Sequence, residues 1–515
     1  MHTDKEYIIG REINSLRSES TGEYSLPDYN GDVKKVLSVR THVFPTGKFV
    51  GDDLLEFSGT VGYEVVYVDA ENNLTHLEFS TDYEGAVRIN SSTYVDSDVK
   101  TSVVNCNARL IGPRKFSVKC ALDSDVCISE RRTYSVGGDA FIEYEPETLT
   151  CSASVFTSEF SEGEVSEINE ELSSLDGVIA DEVQVLLCDV TPSVASVEMS
   201  DGDATVKGSL NVSVLVSCNG EMPRKYDKLI PYNQTVPSGD MNGKDGVSAR
   251  IEIRSIKPAV VPSEDGVVLT AQITSVPKIF AKGNSQIELI TDAYVKERGS
   301  DNEYSDFSYT EYITTEKCEE HFSGEWRSDD LNNEKTDAII HSDATARVDS
   351  CEICDSMVKI TGEIRFSAIA CQVSEDGVSI YAPIKFALPF EQNVNTDCQM
   401  HDNMRVNAAV SVHDVRMDIA DGTVVVGCNL ICSAYVFSDR RQRCLGALYL
   451  TDEEYSREES VLTVYYPDST ESLFDIAKRF HTSCRSIAEC NRLTEATFAS
   501  TSALGSLGVK RLLIK

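Results

Sequence analysis

Apolar and polar residues alternate along most of this chain. Gly208-Ser209-Leu210-Asn211-Val212-Ser213-Val214-Leu215-Val216 alternates until its apolar end. Glu56–Val68 begins the same way and ends as a continuous apolar run, and Ile251-Glu252-Ile253-Arg254 repeats the pattern. A period of two places every second side chain on one face of a strand. Val, Ile, Thr and Tyr enrich these stretches, and turn pairs punctuate them at Asp201-Gly202, Asp265-Gly266, Asp376-Gly377 and Asp421-Gly422. The combination predicts antiparallel strands joined by tight turns. Segments with helical period are scarce before residue 470.

The pattern also repeats over a long interval. Gly59, Gly208 and Gly362 open similar strands, 149 and 154 residues apart. After each comes a strand, a turn and a second strand ending in an aromatic: Tyr83, Tyr232 and Phe390, at spacings of 24, 24 and 28. A further strand pair follows in each unit, at Lys115–Cys127, Gly266–Ile279 and Gly422–Phe437. The period is too long for a solenoid. Three tandem β domains are the simpler reading, with the glycines at bulges or close backbone approaches and the aromatics as core or rim plugs. Charged, poorly periodic runs predict connectors at Phe156–Ser166, Glu297–Phe307 and Thr451–Ser460. The resulting domains are 1–155, 166–300 and 312–452, with a distinct segment at 461–515.

Length agrees with this division, since 515 residues correspond to three or four domains at about 100–200 residues each. The charge changes the functional picture more. Eighty-four acids against 47 bases give −37, a field that repels phosphate backbones and argues against nucleic acid as a partner. The longest apolar runs, such as Val65–Val68 and Val185–Cys188, are strand-sized, whereas a membrane helix needs about 20 residues; no membrane insertion is expected. Met1-His2-Thr3-Asp4-Lys5-Glu6 does not resemble the start of a secretory signal. A cytoplasmic location is therefore expected, with the 16 cysteines as reduced thiols.

The last 55 residues read differently. Val461–Tyr466 is a strand, and Asp468-Ser469-Thr470-Glu471 supplies capping residues. Leu473, Ile476, Ala477 and Phe480 then recur on one helix face. Thr482-Ser483 starts a second helix carrying Ile487 and Ala488, and Val509–Ile514 closes with a strand. This segment has seven bases and five acids, so the remainder carries −39. A weakly basic module on an acidic body suggests a separate partner, although a two-charge excess in so short a segment is equally read as ordinary scatter.

No catalytic constellation is present. The chain lacks a phosphate-binding Gly-x-x-x-x-Gly-Lys-Ser/Thr loop, a Gly-x-Ser-x-Gly elbow and a His-Glu-x-x-His pair. Cys351-Glu352-Ile353-Cys354 is the lone Cys-x-x-Cys and has no second pair to complete a zinc site. Trp326 is expected to be half-buried, and His481 to be a solvated helix cap. Neither a cofactor nor a metal is expected, and the protein reads as non-enzymatic.

Two motifs carry a resemblance. Tyr465-Tyr466-Pro467-Asp468-Ser469-Thr470-Glu471-Ser472-Leu473-Phe474-Asp475-Ile476-Ala477-Lys478-Arg479-Phe480, with Ile487 and Asn491-Arg492-Leu493, resembles a LysM module. Thr470 stands where that family usually has glycine, Glu471 where it has aspartate, and Lys515 where it has proline. Leu26-Pro27-Asp28, followed by Asp32-Val33 and Val36-Leu37, resembles the opening of SPOCS domains. Tandem SPOCS domains followed by LysM occur in SipL-like spore proteins.

The resemblance implies a mainly β, multi-domain architecture: three tandem antiparallel β domains plus a small C-terminal βααβ module. It implies a scaffold in spore coat assembly, acting in the mother cell and recruited to the forespore surface. Its partners would be a spore morphogenetic ATPase and other coat proteins. The alternative is binding of peptidoglycan or other N-acetylglucosamine polymers. Under either reading the candidate surface is the strand-to-helix loop, Tyr466, Asp468, Ser469, Thr470, Glu471 and Ser472, with Asn491 and Arg492. Lys478 or Arg479 would set the partner's register, while Tyr465, Leu473, Ile476, Ala477, Ile487 and Leu493 form the core. A wall hydrolase bearing a LysM module is the third possibility weighed, and it lacks catalytic motifs.

Overall fold

The computed structural model describes residues 4–28, 30–218, 221–241, 247–327, 338–373, 379–399, 401, 403–420, 422–455, 462–468, 470–493, 504 and 509–515. Asp376-Gly377, Asp421 and residues 456–460 of the third expected connector lie outside the described residues. The protein is mainly β, built from several antiparallel sheets.

The first six strands are β1 (Lys5–Ser25), β2 (Val33–Gly51), β3 (Leu54–Asp69), β4 (Leu74–Arg88), β5 (Tyr94–Gly112) and β6 (Lys115–Tyr134). They form two three-stranded sheets, β1-β6-β5 and β2-β3-β4. Alternate residues from both sheets, among them Leu55, Val61, Tyr63, Leu122 and Ile128, make one buried core. Leu26 and Val33, from the Leu-Pro-Asp segment, close one end of the pair against Tyr67 and Phe116.

After the short helix α1 (Ala140–Glu143), the order recurs. Strands β7 (Glu147–Glu162), β8 (Ser166–Asp176), β9 (Val183–Ser200), β10 (Asp203–Cys218), β11 (Arg224–Pro237), β12 (Val247–Pro262) and β13 (Gly266–Tyr294) follow. Their sheets are β9-β10-β11 and β12-β13-β7, with β8 also on β13. β7 covers Lys278–Tyr294 of β13, and β8 covers Gly266–Ser275. Strands β14 (Arg298–Arg327), β15 (Ala338–Cys354), β16 (Met357–Val373), β17 (Ser379–Asn395), β18 (Met404–Ala420) and β19 (Thr423–Glu454) give β14-β19-β18 and β15-β16-β17. In every set three consecutive inner strands make one sheet, and the strands before and after them in the chain make the other.

The repeated glycines have a common geometry. Gly59 pairs directly with Tyr83, Gly208 with Tyr232 and Gly362 with Phe390. The aromatics are therefore not at strand ends, as the spacing suggested; they sit mid-strand, opposite the glycine. A Cβ at Gly362 would lie 2.6 Å from the Phe390 ring and 2.0 Å from the Arg347 carbonyl oxygen. At Gly208 it would lie 2.0 Å from the Ser193 carbonyl oxygen. The missing side chain admits a bulged neighbouring strand in both cases.

Most of the described residues in the expected connectors are strand. Phe156–Glu162 belongs to β7 and Arg298–Phe307 to β14, while Thr451–Glu454 ends β19. The boundary at 155 falls inside β7, and that at 300 inside β14. Of the charged residues that suggested solvated linkers, Glu162 is paired across the sheet. Glu162 meets Arg254 at 3.3 Å and Lys278 at 3.4 Å. Phe156 is fully buried. Trp326 packs partly buried, stacked on Phe386 at 4.7 Å.

The three sets meet in shared cores. One contains Tyr134 and Val136 after β6, Ala153 and Val155 of β7, Leu289 of β13, and Leu445 and Leu448 of β19. Another contains Leu37, Val66, Leu187, Leu215, Ile340 and Ile369, again from all three sets. Beside it, Arg40 of β2 meets Asp189 of β9 at 2.6 Å. Burial opposes the Arg40 charge, but Asp189, Asp343 and Glu64 outweigh it and raise its pKa. Elsewhere, Lys282 of β13 pairs with Glu12 of β1 and lies over the Tyr435 ring of β19 at 4.0 Å. Asn407 of β18 donates to the same Glu12 at 2.7 Å.

Two predictions follow from these contacts. Gly208→Ala should cost about 1–3 kcal/mol through overpacking, whereas Gly47→Ala, with nothing within 4 Å of its added Cβ, should be nearly neutral; urea midpoints compare them. The second concerns His341, buried in the shared core, whose pKa is pushed down to about 3 by burial and then by Arg40. Between about pH 3 and 6.5 the unfolded chain binds this proton and the folded chain does not. The contribution is thus intact above about pH 6.5 and is lost as pH falls, by up to about 1.4 kcal/mol per unit. Thermal unfolding at pH 7 and pH 5 should show a shallower decline in His341→Gln than in wild type.

Candidate surface of the C-terminal module

The C-terminal segment folds as β20 (Thr463–Tyr465), α2 (Leu473–Arg479), α3 (Cys484–Asn491) and β21 (Leu512–Ile514). β20 and β21 pair antiparallel. Leu473, Ile476, Ala477, Ile487, Ala488, Leu504, Leu512 and Ile514 form its core, with Tyr465 and Leu493 partly buried beside them. Ser472 caps α2 by accepting from the Asp475 amide at 3.2 Å, while Asp475 accepts from the Ser472 amide at 3.0 Å. Ser483 caps α3 in the same manner, through the Ser486 amide at 3.0 Å. These caps leave Glu471 free for another task.

Glu471 closes the loop onto itself. It accepts from the Tyr465 hydroxyl at 2.8 Å and from the Asp468 amide at 3.0 Å, and it meets Arg479 at 2.6 Å. Burial pushes the Glu471 carboxyl up, but these three donors outweigh it and hold it below the usual carboxylate range. Asn491 is a structural clasp. Its amide nitrogen donates to the Ile487 and Leu513 carbonyls, and its oxygen accepts from the Leu513 amide at 2.7 Å. Arg492 is exposed in the left-handed region, with φ 56°, as the C-cap of α3. Tyr466, Asp468 and Thr470 are exposed, Ser472 is buried, and Ser469 lies outside the described residues.

Lys478, expected on the exposed helix face, is engaged within the chain. Its ammonium contacts both oxygens of Asp292 on β13, at 2.7 and 2.8 Å. Asn302 and Tyr304 of β14 hold the same carboxylate. Arg479, the other expected cation, is occupied by Glu471 and Tyr465. The module is docked on the body: the Tyr294 ring packs edge-on against Phe474 at 5.2 Å, and its hydroxyl donates to the Thr482 carbonyl at 2.5 Å. His481 is stacked on Tyr455 at 3.6 Å rather than being a solvated cap. Burial lowers its pKa, against the opposing charge of Glu453.

Docking leaves an outer face that the loop-centred reading missed. Leu462, Val464, Tyr466 and Leu513 are 59%, 51%, 70% and 36% exposed, on β20, on the residues that flank it and on β21. Val464 pairs directly with Leu513. Lys510, Arg511 and Lys515 are exposed around β21. The alternation of Leu462, Val464 and Tyr466 was visible in the sequence; which side of the strand was free was not. An apolar row rimmed by bases is suited to protein contact.

Among the described residues no group of three His, Cys, Asp or Glu side chains has metal-holding geometry. Cys351 is partly buried on β15, and Cys354 is exposed as the last residue of the same strand. No described helix is long and apolar enough to cross a membrane. No family model, curated protein or solved structure matches the chain.

Docking can be tested at Tyr294. Tyr294→Ala should remove a buried aromatic contact worth about 3–5 kcal/mol and release α2. Hydrogen exchange should rise over Leu473–Arg479 while remaining unchanged in β9, β10 and β11.

Proposed function

We propose that this chain is a non-enzymatic scaffold of the SipL type, in which three SPOCS-like β domains carry a LysM-like module. The recurrent pairing of an inner three-stranded sheet with a sheet of the flanking strands supports the repeat reading, with the units spanning 5–134, 147–294 and 298–454. On this reading the protein acts in the mother cell and ties coat proteins to a morphogenetic ATPase on the forespore surface. The observation that carries the proposal is the exposed apolar row Leu462, Val464, Tyr466 and Leu513. It lies on a module whose α2 residues Phe474 and Lys478 are engaged with the body. Glycan recognition through the strand-to-helix loop is less well supported, because Glu471 ties that loop to Tyr465 and Arg479.

A pull-down with the full chain tests this reading. Wild-type protein should retain the morphogenetic ATPase from sporulating lysate, and Val464→Asp/Tyr466→Ala should reduce retention at least about tenfold, the loss of one interface hot spot. Circular dichroism would verify that the variant is folded. Retention of wild-type protein on purified peptidoglycan, with no ATPase captured, would overturn the scaffold reading in favour of glycan binding.

A further inference from the structure

The strand ladders decide which of the chain's cysteines can meet. Among the described residues two pairs stand directly opposite each other on neighbouring antiparallel strands. They are Cys106 with Cys120 on β5 and β6, and Cys318 with Cys432 on β14 and β19. Opposed residues in such a ladder have Cα atoms about 4.5 or 5.5 Å apart and side chains on one face. A disulfide requires a Cα separation of about 4.4–6.8 Å, so joining an opposed pair asks for no large backbone movement. All four residues are free thiols.

Cys106 and Cys120 have two further properties. Each thiol is the leading influence on the other's ionisation, through a hydrogen bond between the two side chains. The sulfurs thus face each other. The pair is also reached from one side. The three sets of sheets leave a central cavity of about 870 Å³, and Cys106 is on its wall. Cys106 is partly buried there, while Cys120 is fully buried behind it, in the core with Tyr63 and Leu122. Cys318 and Cys432 do not line that cavity, and the Cys318 sulfur accepts from the Gln392 side-chain amide at 3.2 Å.

The strand that carries Cys106 would gain from a staple. β5 is an edge strand of its sheet, and its pairing with β6 is irregular on both sides of Cys106, at Val103/Asn105 and at Leu110/Gly112. Close by, the Val104 carbonyl accepts from Arg365 of β16 at 3.3 Å. A covalent link to β6 would fix this edge where the first set meets the third.

We propose that Cys106 and Cys120 form a reversible dithiol–disulfide site, oxidised by a small disulfide that enters the central cavity. Cys106, as thiolate, attacks one sulfur of the small disulfide. Its S–S bond breaks, and one small thiolate leaves and takes up a proton. Cys120 gives up its proton and attacks the Cys106 sulfur, and the second small thiolate leaves with that proton. The protein loses two electrons and two protons, and the small disulfide becomes two thiols. The second step is favoured because both cysteines belong to one hairpin and are already side by side.

The test uses the full chain under native conditions, titrated with hydroxyethyl disulfide against mercaptoethanol. After alkylation and tryptic digestion, peptides 101–109 and 120–131 should be found joined, with fragmentation placing the bond on Cys120 and not on Cys127. Dithiothreitol should separate them. Cys120→Ala lacks the resolving thiol, so Cys106 should be trapped as a mixed disulfide with mercaptoethanol, at least about tenfold above wild type. Cys106→Ser should leave the two peptides unlinked. In the oxidised wild type, hydrogen exchange across β5 should slow at least about tenfold, as expected when a short loop is closed. The exposed thiols Cys354 and Cys490 report that the reagent is active. The proposal is overturned if those two are modified while Cys106 and Cys120 stay unlinked. It is equally overturned if Cys106 of the wild type retains the mixed disulfide without passing it to Cys120.

Discussion

Enclosing the Arg40 guanidinium between sheets would be prohibitive with no carboxylate beside it. The nearest compensation comes from other sets of strands: Asp189 from β9 and Asp343 from β15, with Glu64 from its own sheet. That requirement couples the three pairs of sheets, because the charge is tolerable only when all are in place. Glu12 does the same elsewhere, holding Lys282 and Asn407 from the other two sets. The shared apolar cores supply most of the burial. The ionic contacts fix which faces meet, since an apolar face alone tolerates sliding that a paired buried charge does not.

The β class and the glycine–aromatic pairs were legible because they are local or periodic. Alternation encodes a strand within a few residues, and the glycine–aromatic spacing reflects hairpin length. Gly59–Tyr83 and Gly208–Tyr232, both 24 residues apart, are directly paired residues whose shared spacing survives because the hairpins keep their length. The ends of the units were not legible. Glu162 looks like linker chemistry until Arg254 and Lys278, roughly a hundred residues away, are brought beside it. In the module, the helix core could be read from its period, while Lys478 looked like a free cation. Its partner, Asp292, is 186 residues earlier, and no local pattern announces a contact of that range.

Docking changes how the module would recognise anything. The strand-to-helix loop is held by Glu471, Asn491 clasps β21, and Phe474 faces Tyr294. What remains open is a small apolar sheet face with basic neighbours. It is also held in a fixed orientation by the body, so part of the entropy cost of presenting it has been met during folding. A partner would therefore encounter a preorganised surface rather than a swinging appendage.

β19 runs for 32 residues, paired with β14 over most of its length. A strand that long spans on the order of 100 Å, and its ladder bonds lie across its direction. Tension along it would load many hydrogen bonds in parallel instead of opening them one at a time. The docked module adds a second path: a pull on α2 passes through Lys478 and Tyr294 into β13, another long strand flanked by partners. Mechanically, the molecule resembles a braced strut, with load entering at the module spread over two sheets before any single contact has to carry it.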